Sequence, residues 1–280
     1  MFRVPHVQRA AMTAPVHPVI VRFNLTKSVF LDSRLMCLIV CNIHKNRHYP
    51  VIVGANRDEY YERPSQPPQV LNDRPKIIGG YDVRKGGTWL GVNEYGLVAA
   101  ITNYDQTEKR NPEAESRGIL CLKALGCENA RAAVENVRKR LEGTNYNPFT
   151  LLLMDRHNAC SISNMTTPAV ADMSAGWHIL GNGGLDDPDE PKIRRVHELL
   201  NSEKLSEPSS LEITKTVLKK ICRDHGNRNN PADEESACFH GASAGTRSSS
   251  IIAVDSNAQI SAYLHAEGFP CKNEYKQVQV

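Results

Sequence analysis

The sequence lacks any long hydrophobic run and any strong excess of charge of one sign. Among its 280 residues no apolar stretch approaches the ~20 residues that a transmembrane helix needs, so we expect no transmembrane segment. The net charge is only +3, which argues against a nucleic-acid-binding protein that works through a broad basic face. Hydrophobic residues make up 40% and charged residues 23%, which is the usage of a globular protein and excludes wholesale disorder.

The eight cysteines lack the spacing of metal-binding or disulfide-rich proteins. There is no CxxC pair, no Cys/His cluster at zinc spacing and no CxxCH haem-attachment motif. The sequence therefore predicts reduced, mostly buried thiols and no metal site. The phosphate-binding patterns GxGxxG and GxxxxGK[ST] are also absent, and no internal repeat stands out.

Residues 1–35 differ in composition from the rest of the chain. They hold five basic side chains and one acidic one, are interrupted by three prolines and contain no apolar segment of the secretory type. Two interpretations stay open: an organelle-targeting segment of the mitochondrial kind, or sequence upstream of a translation start at Met36. The second is favoured, because Met36 and Cys37 open a strong predicted strand. We expect an N-terminal extension over 1–35 and a single domain over 36–280.

Short β-branched segments alternate with pairs of segments that have helical periodicity. Strands are predicted at 37–43, 50–55, 86–92, 96–104, 149–154, 159–163, 177–181, 247–254 and 258–264, and helices at 115–126, 128–142, 190–202 and 210–223. The four prolines of 56–76 predict an extended loop, and the polar residues 224–243 predict a mobile surface loop. Hairpins of strands with paired helices predict an α+β fold, a four-layer αββα sandwich of two antiparallel sheets.

Two features near the start of the predicted domain carry side chains suited to nucleophilic chemistry. Cys37, freed by removal of Met36, would combine a thiol with an α-amine of pKa about 7.7–8.0 that can act as its base. The alternative is a buried strand cysteine. Arg57 and Asp58 end the next strand, where a cation lowers the pKa of a nearby thiol and a carboxylate orients an amine. The alternative is local ion pairing in solvent.

Three further polar residues stand at predicted strand ends. Asn103 and Asn182 each follow a strand, as N–H donors for an oxyanion or simply as turn residues. Arg247 begins a strand, either to bind a carboxylate or thiolate or as a charge on a sheet edge. Each of these signals is weak when taken separately.

Taken together, the motifs resemble the NRDE family, also called the transport and Golgi organisation protein 2 homologues. The strings that carry the resemblance are MCLIV, YPVIVGANRDEYYERP, GGTWLGVNEYGLVAAITNY, SRG and GTRSSSIIAVD, between Met36 and about His265. The resemblance implies the αββα fold of N-terminal nucleophile hydrolases. It also implies a likeness to bile-salt hydrolases and penicillin V acylases, which use an N-terminal cysteine.

Carried over by motif, the resemblance implies six catalytic residues: Cys37, Arg57, Asp58, Asn103, Asn182 and Arg247. In this implied arrangement Asp58 and Asn103 hold the amine, Asn182 with a backbone N–H holds the oxyanion, and Arg57 lowers the thiol pKa. One departure from the family pattern matters, because 35 residues ahead of the Met-Cys pair would block the α-amine unless they are removed or absent.

The resemblance implies a cellular role rather than a defined reaction. Relatives are associated with haem export or trafficking, with Golgi organisation and protein secretion, and with mitochondrial and lipid metabolism. The alternative is an N-terminal cysteine amidohydrolase that cleaves a linear amide and needs no cofactor.

In the carrier hypothesis haem is the cargo, ligated by a cysteine or histidine and held by arginines at its propionates. The histidine candidates by residue type are His44, His178, His240 and His265. The expected partners are a small-molecule ligand or haem and no nucleic acid. The expected location is the cytoplasm, with mitochondria or peripheral association with Golgi membranes as alternatives.

Overall fold

The structure is a computed structural model that describes residues 37–104, 110–165, 167–203, 210–226, 230, 232–233 and 235–279. The predicted extension over 1–35 and the predicted domain boundary at residue 36 lie outside the described residues.

Strands and helices alternate in the order that the sequence predicts, with additional strands. The strands are β1 Leu38–Ile43, β2 Val51–Tyr60, β3 Ser65–Asp73, β4 Lys76–Asp82, β5 Leu90–Asn93, β6 Val98–Asn103, β7 Phe149–Met154, β8 Ala159–Ser163, β9 Ala169–Asp172, β10 Gly176–Leu180, β11 Ala244–Val254, β12 Ile260–Glu267 and β13 Lys276–Gln277. The helices are α1 Arg117–Ala124, α2 Ala130–Gly143, α3 Pro191–Ser202 and α4 Leu211–Cys222.

Two antiparallel sheets form the middle layers. One has the strand order β10-β1-β2-β11-β12-β13, and the other runs β3 to β9 in sequence order. One apolar core lies between the sheets, a second lies between the seven-stranded sheet and α1 with α2, and a third lies between the six-stranded sheet and α3 with α4. The predicted αββα sandwich is confirmed.

Strand β1 shows why its sequence is apolar without alternation. Ile39 and Cys41 face the core between the sheets, whereas Leu38 and Val40 face the helical layer. Because successive side chains of a strand point to opposite faces, a strand covered on both sides needs apolar residues at every position. Strand β2 is likewise buried on both faces, and its pairing with β1 confirms the predicted hairpin.

The predicted loop over 56–76 is wrong. Strand β2 continues to Tyr60, and β3 and β4 follow as a hairpin. Proline cannot donate a ladder hydrogen bond, but Pro67 and Pro68 are tolerated because β3 is an edge strand whose register shifts between Gln66 and Gln69. Strand β9, at the opposite edge, was also not predicted, because it has only four residues and all four are exposed.

The surface loop predicted over 224–243 is only partly a surface segment. Among its described residues, Ser236, Ala237, Cys238 and Phe239 are buried. The side-chain amide of Asn56 donates to the carbonyl oxygen of Ala237 at 2.7 Å, which holds this segment against β2. The polar residues around this segment hid its burial. Ala237 accepts from Asn56 of β2 and the Phe239 N–H donates to Thr246 of β11, whereas Ser236 and Cys238 bond to residues of the loop itself.

No helix in the described part of the chain is both long enough and apolar enough to cross a membrane.

Candidate active site

Four of the six predicted site residues line one cleft at an end of the two sheets. Cys37, Arg57, Asp58 and Asn103 come from the beginning of β1, the second half of β2 and the end of β6. The cleft has a volume of about 240 Å³ and is closed on its other sides by the segments around residues 85–89 and 110–118. The two sheets thus bring together residues that are far apart in the sequence.

The register of the first hairpin places Cys37 beside Arg57 and Asp58. Leu38 pairs with Asn56, and the Cys37 thiol donates to the backbone carbonyl oxygen of Asp58 at a distance of 3.5 Å. Burial raises the pKa of Cys37 to about 11, and the nearby Asp58 carboxylate adds to this effect. Arg57 lowers this pKa, as the resemblance implies, but burial outweighs it. With Cys37 in mid-chain, its thiol is therefore protonated at neutral pH.

Arg57 is held in place by charges and by an aromatic ring. Its Nη2 lies 3.3 Å from Asp82 and 3.6 Å from Glu59, and its guanidinium lies over the Trp89 ring at 4.5 Å from the centroid. The side chain is only 4% exposed, and its Nη1 is buried without a hydrogen-bond partner among the described residues. A buried guanidinium nitrogen without a partner is costly, so it favours a ligand or substrate oxygen at this point.

Asp58 lies beneath the cleft with two buried donors. Lys192 of α3 lies 3.1 Å from its Oδ2, and the Thr246 hydroxyl of β11 donates to its Oδ1 at 2.6 Å. Burial raises the pKa of Asp58, whereas the charge of Lys192 lowers it. Each carboxylate oxygen can accept more than one hydrogen bond. Asp58 therefore retains acceptor capacity for an amine. The sequence predicted neither Lys192 nor Thr246 as a contact of Asp58.

Asn182 does not line the cleft, although the fold brings the end of its strand close to the cleft. It is buried after β10 and is not one of the residues that line the cleft. The hydroxyl of Thr102, which precedes Asn103, donates to the carbonyl oxygen of Gly181 at 3.1 Å, so the two strand ends are joined. Asn103 itself is half-buried and faces the cleft.

Arg247 is not among the cleft residues either. Its Nη1 donates to the carbonyl oxygens of Tyr60, at 3.2 Å, and Tyr61, at the end of β2. Arg247 falls where the pairing of β11 with β2 shifts register, between Thr246 and Ser248. Thr246 lies directly opposite Asp58 in this pairing, so its hydroxyl contacts the site, whereas Arg247 ties two strands together.

The cleft carries a cluster of cations that the sequence did not single out. Arg63, Arg110 and Arg117 line it, and burial with the charges of Arg110 and Arg63 lowers the pKa of Arg117 to about 10. The Nη1 of Arg117 donates to the carbonyl oxygen of Pro148 at 2.7 Å. Arg63 is already paired with Asp82 at 2.9 Å and with Glu59 at 3.2 Å, so a carboxylate in the cleft would mainly offset the charges of Arg110 and Arg117.

Close backbone contact positions Arg117. Gly87 has a φ of +80°, and a Cβ added there would lie 2.1 Å from the carbonyl carbon of Gly118. The GGTWLG string and the SRG string therefore pack with glycine against glycine, which a side chain at residue 87 would prevent.

None of the four candidate haem-ligating histidines is among the described residues that line the cleft. The ring nitrogens contact other groups: His44 with the Asp155 carbonyl at 2.9 Å, His178 with Asp186 at 2.6 Å and the Ser174 carbonyl at 2.9 Å, and His265 with Ser250 at 2.9 Å and Glu267 at 3.1 Å. His240 lies near Cys238 and Cys271 instead.

Comparison with known proteins agrees with the motifs. The sequence model of the Transport and Golgi organisation 2 family matches residues 36–265. The chain belongs to this family. The Transport and Golgi organization 2 homolog of Mus musculus is 27% identical over 254 residues, which cover 80% of this chain and 91% of the relative. The human homolog is 32% identical over 167 residues, which cover 55% of this chain and 59% of the relative.

Solved structures with a similar fold include an acylase and a bile acid hydrolase. Penicillin V acylase from Agrobacterium tumefaciens superposes with a TM-score of 0.51 at 12% identity, over 82% of this chain and 83% of the acylase. A variant of the conjugated bile acid hydrolase from Clostridium perfringens gives 0.50 at 14% identity, over 87% of this chain and 97% of the hydrolase. At such identities the likeness shows that this member of the Transport and Golgi organisation 2 family has the N-terminal nucleophile hydrolase fold.

Some site residues gave little or no signal in the sequence. Lys192 lies in a helix whose charges look like those of a solvated face, and Asp82 ends a strand that was not predicted. Trp89 lies in the GGTWLG string, which carried the resemblance but gave the ring no role. Thr246 precedes Arg247 in the GTRSSSIIAVD string, so the motif identifies the right segment although it singled out the neighbouring residue. Sequence spacing cannot show which side chain of a strand faces the cleft where the register shifts.

Proposed function

We propose that this cleft is the active site of an N-terminal cysteine amidohydrolase that takes a small, acidic amide. The observation that carries the proposal is the placement of the Cys37 thiol beside Asp58, in a cleft shared with Arg57 and Asn103. The arginines around Arg117 support an acidic substrate, because a carboxylate would offset their mutual repulsion.

The α-amine of Cys37 is the missing activating group in this proposal. In the full chain the nitrogen of Cys37 forms a peptide bond with Met36, and the thiol has a pKa of about 11. Once Cys37 is N-terminal, its amine can take the thiol proton, and Asp58 can hold the ammonium through its spare acceptor positions. Exposure of the amine and activation of the thiol therefore occur in the same step.

The proposed reaction is acyl transfer through a thioester. The sulfur of Cys37 attacks the amide carbon, its proton passes through the α-amine to the leaving nitrogen, and water then hydrolyses the thioester. In this proposal the Nη1 of Arg57 and the side-chain amide of Asn103 stabilise the oxyanion; its support is that both residues line the cleft and that this nitrogen has no partner among the described residues. Asn182, to which the resemblance assigns this role, lies outside the cleft lining.

The test compares two forms of the protein and two variants. The full chain and a chain that begins at Cys37 are assayed for amine release from a panel of N-acyl amino acids and their neutral analogues. We expect activity only with Cys37 at the N-terminus, a preference for acidic substrates, and loss of activity in Cys37→Ala. Cys127→Ala, which changes a half-buried thiol outside the cleft, is the matched control and should remain active. Equal activity of Cys37→Ala and the unsubstituted chain would refute the proposal.

Binding of haem as a cargo is the second candidate, and the cations of the cleft favour it. Arg110 and Arg117 could meet two propionates, whereas Arg63 is paired with Asp82 and Glu59. The volume of about 240 Å³ is below the range of about 300–1,000 Å³ usual for ligand pockets, and Cys37 is the one thiol or imidazole among the described lining residues. This candidate therefore requires Cys37 as the iron ligand, and a haem titration of Cys37→Ala should show loss of the thiolate–haem spectrum.

The cellular role that we propose follows the names of the relatives, transport and Golgi organisation. The finer roles implied for the family, in haem trafficking, secretion and mitochondrial or lipid homeostasis, are part of this proposal. Rescue of cells that lack the gene tests both candidates, because each requires that Cys37→Ala fail to rescue at normal protein level. The haem titration separates them, since only the carrier predicts a thiolate–haem spectrum of the unsubstituted chain that Cys37→Ala loses.

A further inference from the structure

A second set of reactive side chains converges outside the cleft. The Cys/His cluster consists of His225, Cys238, His240 and Cys271, and one potential metal-ligating atom of each lies within 4.8 Å of the others. Three separate segments supply these residues: the chain just after α4, the segment before β11 and the turn after β12. His225 lies 13 residues before Cys238 and Cys271 lies 31 residues after His240, so no motif at zinc spacing marks the four residues, and the expectation of no metal site does not take the fold into account.

The distances within the Cys/His cluster fit a tetrahedral metal ion. The Nε2 of His240 lies 3.4 Å from the Sγ of Cys238 and 3.3 Å from the Sγ of Cys271. A zinc ion with Zn–S of about 2.3 Å and Zn–N of about 2.0–2.1 Å places a tetrahedral sulfur–nitrogen pair about 3.5 Å apart. The observed contacts therefore need to move by only a few tenths of an ångström.

The burial of the cluster and one ring nitrogen without a hydrogen-bond partner also support a metal site. Cys238 is fully buried, and the Nε2 of His225 is buried with no hydrogen-bond partner in the part of the chain that the structure describes. The His240 ring stacks on Phe269 at a centroid distance of 3.8 Å, which fixes its orientation.

We propose that the Cys/His cluster binds one zinc ion at a closed structural site. Two thiolates and two imidazoles complete a tetrahedron and leave no open position for water, as in structural rather than catalytic zinc sites. The same donor set disfavours calcium and magnesium, which prefer oxygen ligands. The inference does not depend on the proposed amidohydrolase activity.

The zinc ion would brace the residues that hold Asp58. Phe239, between two ligands, donates its N–H to the Thr246 hydroxyl at 2.9 Å and accepts the Thr246 N–H at 2.8 Å. That hydroxyl in turn donates to Asp58 at 2.6 Å. On the other side of the segment, Asn56 donates to the carbonyl of Ala237 at 2.7 Å. The metal ion would thus anchor a segment that holds Asn56 and Asp58 of β2 in position.

The test uses the full chain, purified with a reducing agent and without chelators. Elemental analysis should find about one zinc ion per chain, and Co²⁺ added to the metal-free protein should give the visible bands of tetrahedral cobalt with thiolate charge transfer. A chelator should lower the melting temperature by at least about 5 °C, because the metal binds the folded state.

Substitution of one ligand provides the second arm of the test. Loss of an outer-sphere partner alone costs about 10–100-fold in metal affinity, so Cys271→Ser should weaken Co²⁺ and Zn²⁺ binding by at least about 100-fold. Cys127→Ser is the matched control, because it removes a half-buried thiol outside the cluster, and its metal affinity should be unchanged. If Cys271→Ser does not fold, the cobalt spectrum and chelator response of the unsubstituted chain still decide.

Three results would overturn the proposal. The first is a reduced full chain that takes up less than about 0.1 zinc ion and shows no tetrahedral cobalt bands. The second is metal affinity in Cys271→Ser equal to that of the unsubstituted chain. The third is a metal-free protein in which Cys238 and Cys271 are joined by a disulfide and which binds no zinc after reduction.

Discussion

Replacement of Lys192 by methionine tests whether Asp58 is kept charged beneath the cleft by one buried cation. The two charged groups are 3.1 Å apart, and their side chains are 2% and 0% exposed. Methionine keeps much of the apolar stem but removes the charge, so Asp58 stays buried while the Thr246 hydroxyl still donates to it. Removal of one partner of a buried pair costs about 3–5 kcal/mol, and we expect a loss in this range at neutral pH.

The loss should depend on pH in a defined direction. Burial already raises the pKa of Asp58, and removal of Lys192 should raise it further. A carboxyl whose pKa is higher in the folded than in the unfolded state contributes stability that is present below the unfolded pKa and is lost as pH rises through the folded value. The deficit of Lys192→Met should therefore be largest at alkaline pH and shrink on acidification, when Asp58 takes up a proton.

Urea denaturation followed by tryptophan fluorescence measures the free energy of unfolding at each pH. Lys220→Met is the matched control, because Lys220 is 58% exposed where it pairs with Glu203. An exposed pair contributes about 0–1 kcal/mol, so this variant should differ little from the unsubstituted chain. A deficit of Lys192→Met below about 1 kcal/mol, or one that is the same at all pH values, would refute the reasoning.

Two further predictions concern backbone packing and a histidine. Gly87 has a φ of +80°, and a methyl group added there would meet the Gly118 backbone, so Gly87→Ala should lower the free energy of unfolding by more than about 2 kcal/mol. Gly143 has open space around it, so Gly143→Ala should change this free energy by less than about 1 kcal/mol. A hydrogen bond to Asp186 raises the pKa of His178, so the stability from this pair is present below the ordinary imidazole pKa and is lost as pH rises through the raised value. Asp186→Asn should return the NMR titration midpoint of His178 toward the ordinary value, and an unchanged midpoint would contradict this.

The fold could be predicted well where burial dictates sequence. Strands β1 and β2 are buried on both faces, and α4 places Thr214, Leu218 and Ile221 on its buried side, so both leave strong apolar patterns. The edge strands β3 and β9 leave no such pattern, because most residues of β3 and all four of β9 are exposed and β3 contains prolines. Tertiary pairing, rather than local preference, makes them strands.

The candidate site could be predicted in part, where its residues lie on strands that follow each other in the chain and pair directly. The β1–β2 hairpin makes the approach of Cys37 to Asp58 a local event that sequence reasoning can reach. Lys192 reaches Asp58 from a helix in another layer, and Arg117 reaches the cleft because two glycines allow close contact. The Cys/His cluster depends on three segments that the fold brings together. These contacts follow from how the layers pack, which spacing along the chain does not encode.

The N-terminus of the protein isolated from its own cells tests the central proposal most directly. Intact-mass spectrometry with fragmentation identifies the first residue and the state of its amine. The amidohydrolase proposal predicts a chain that begins at Cys37 with a free amine. A functional protein that retains residues ahead of Cys37, or carries a blocked amine there, would contradict it.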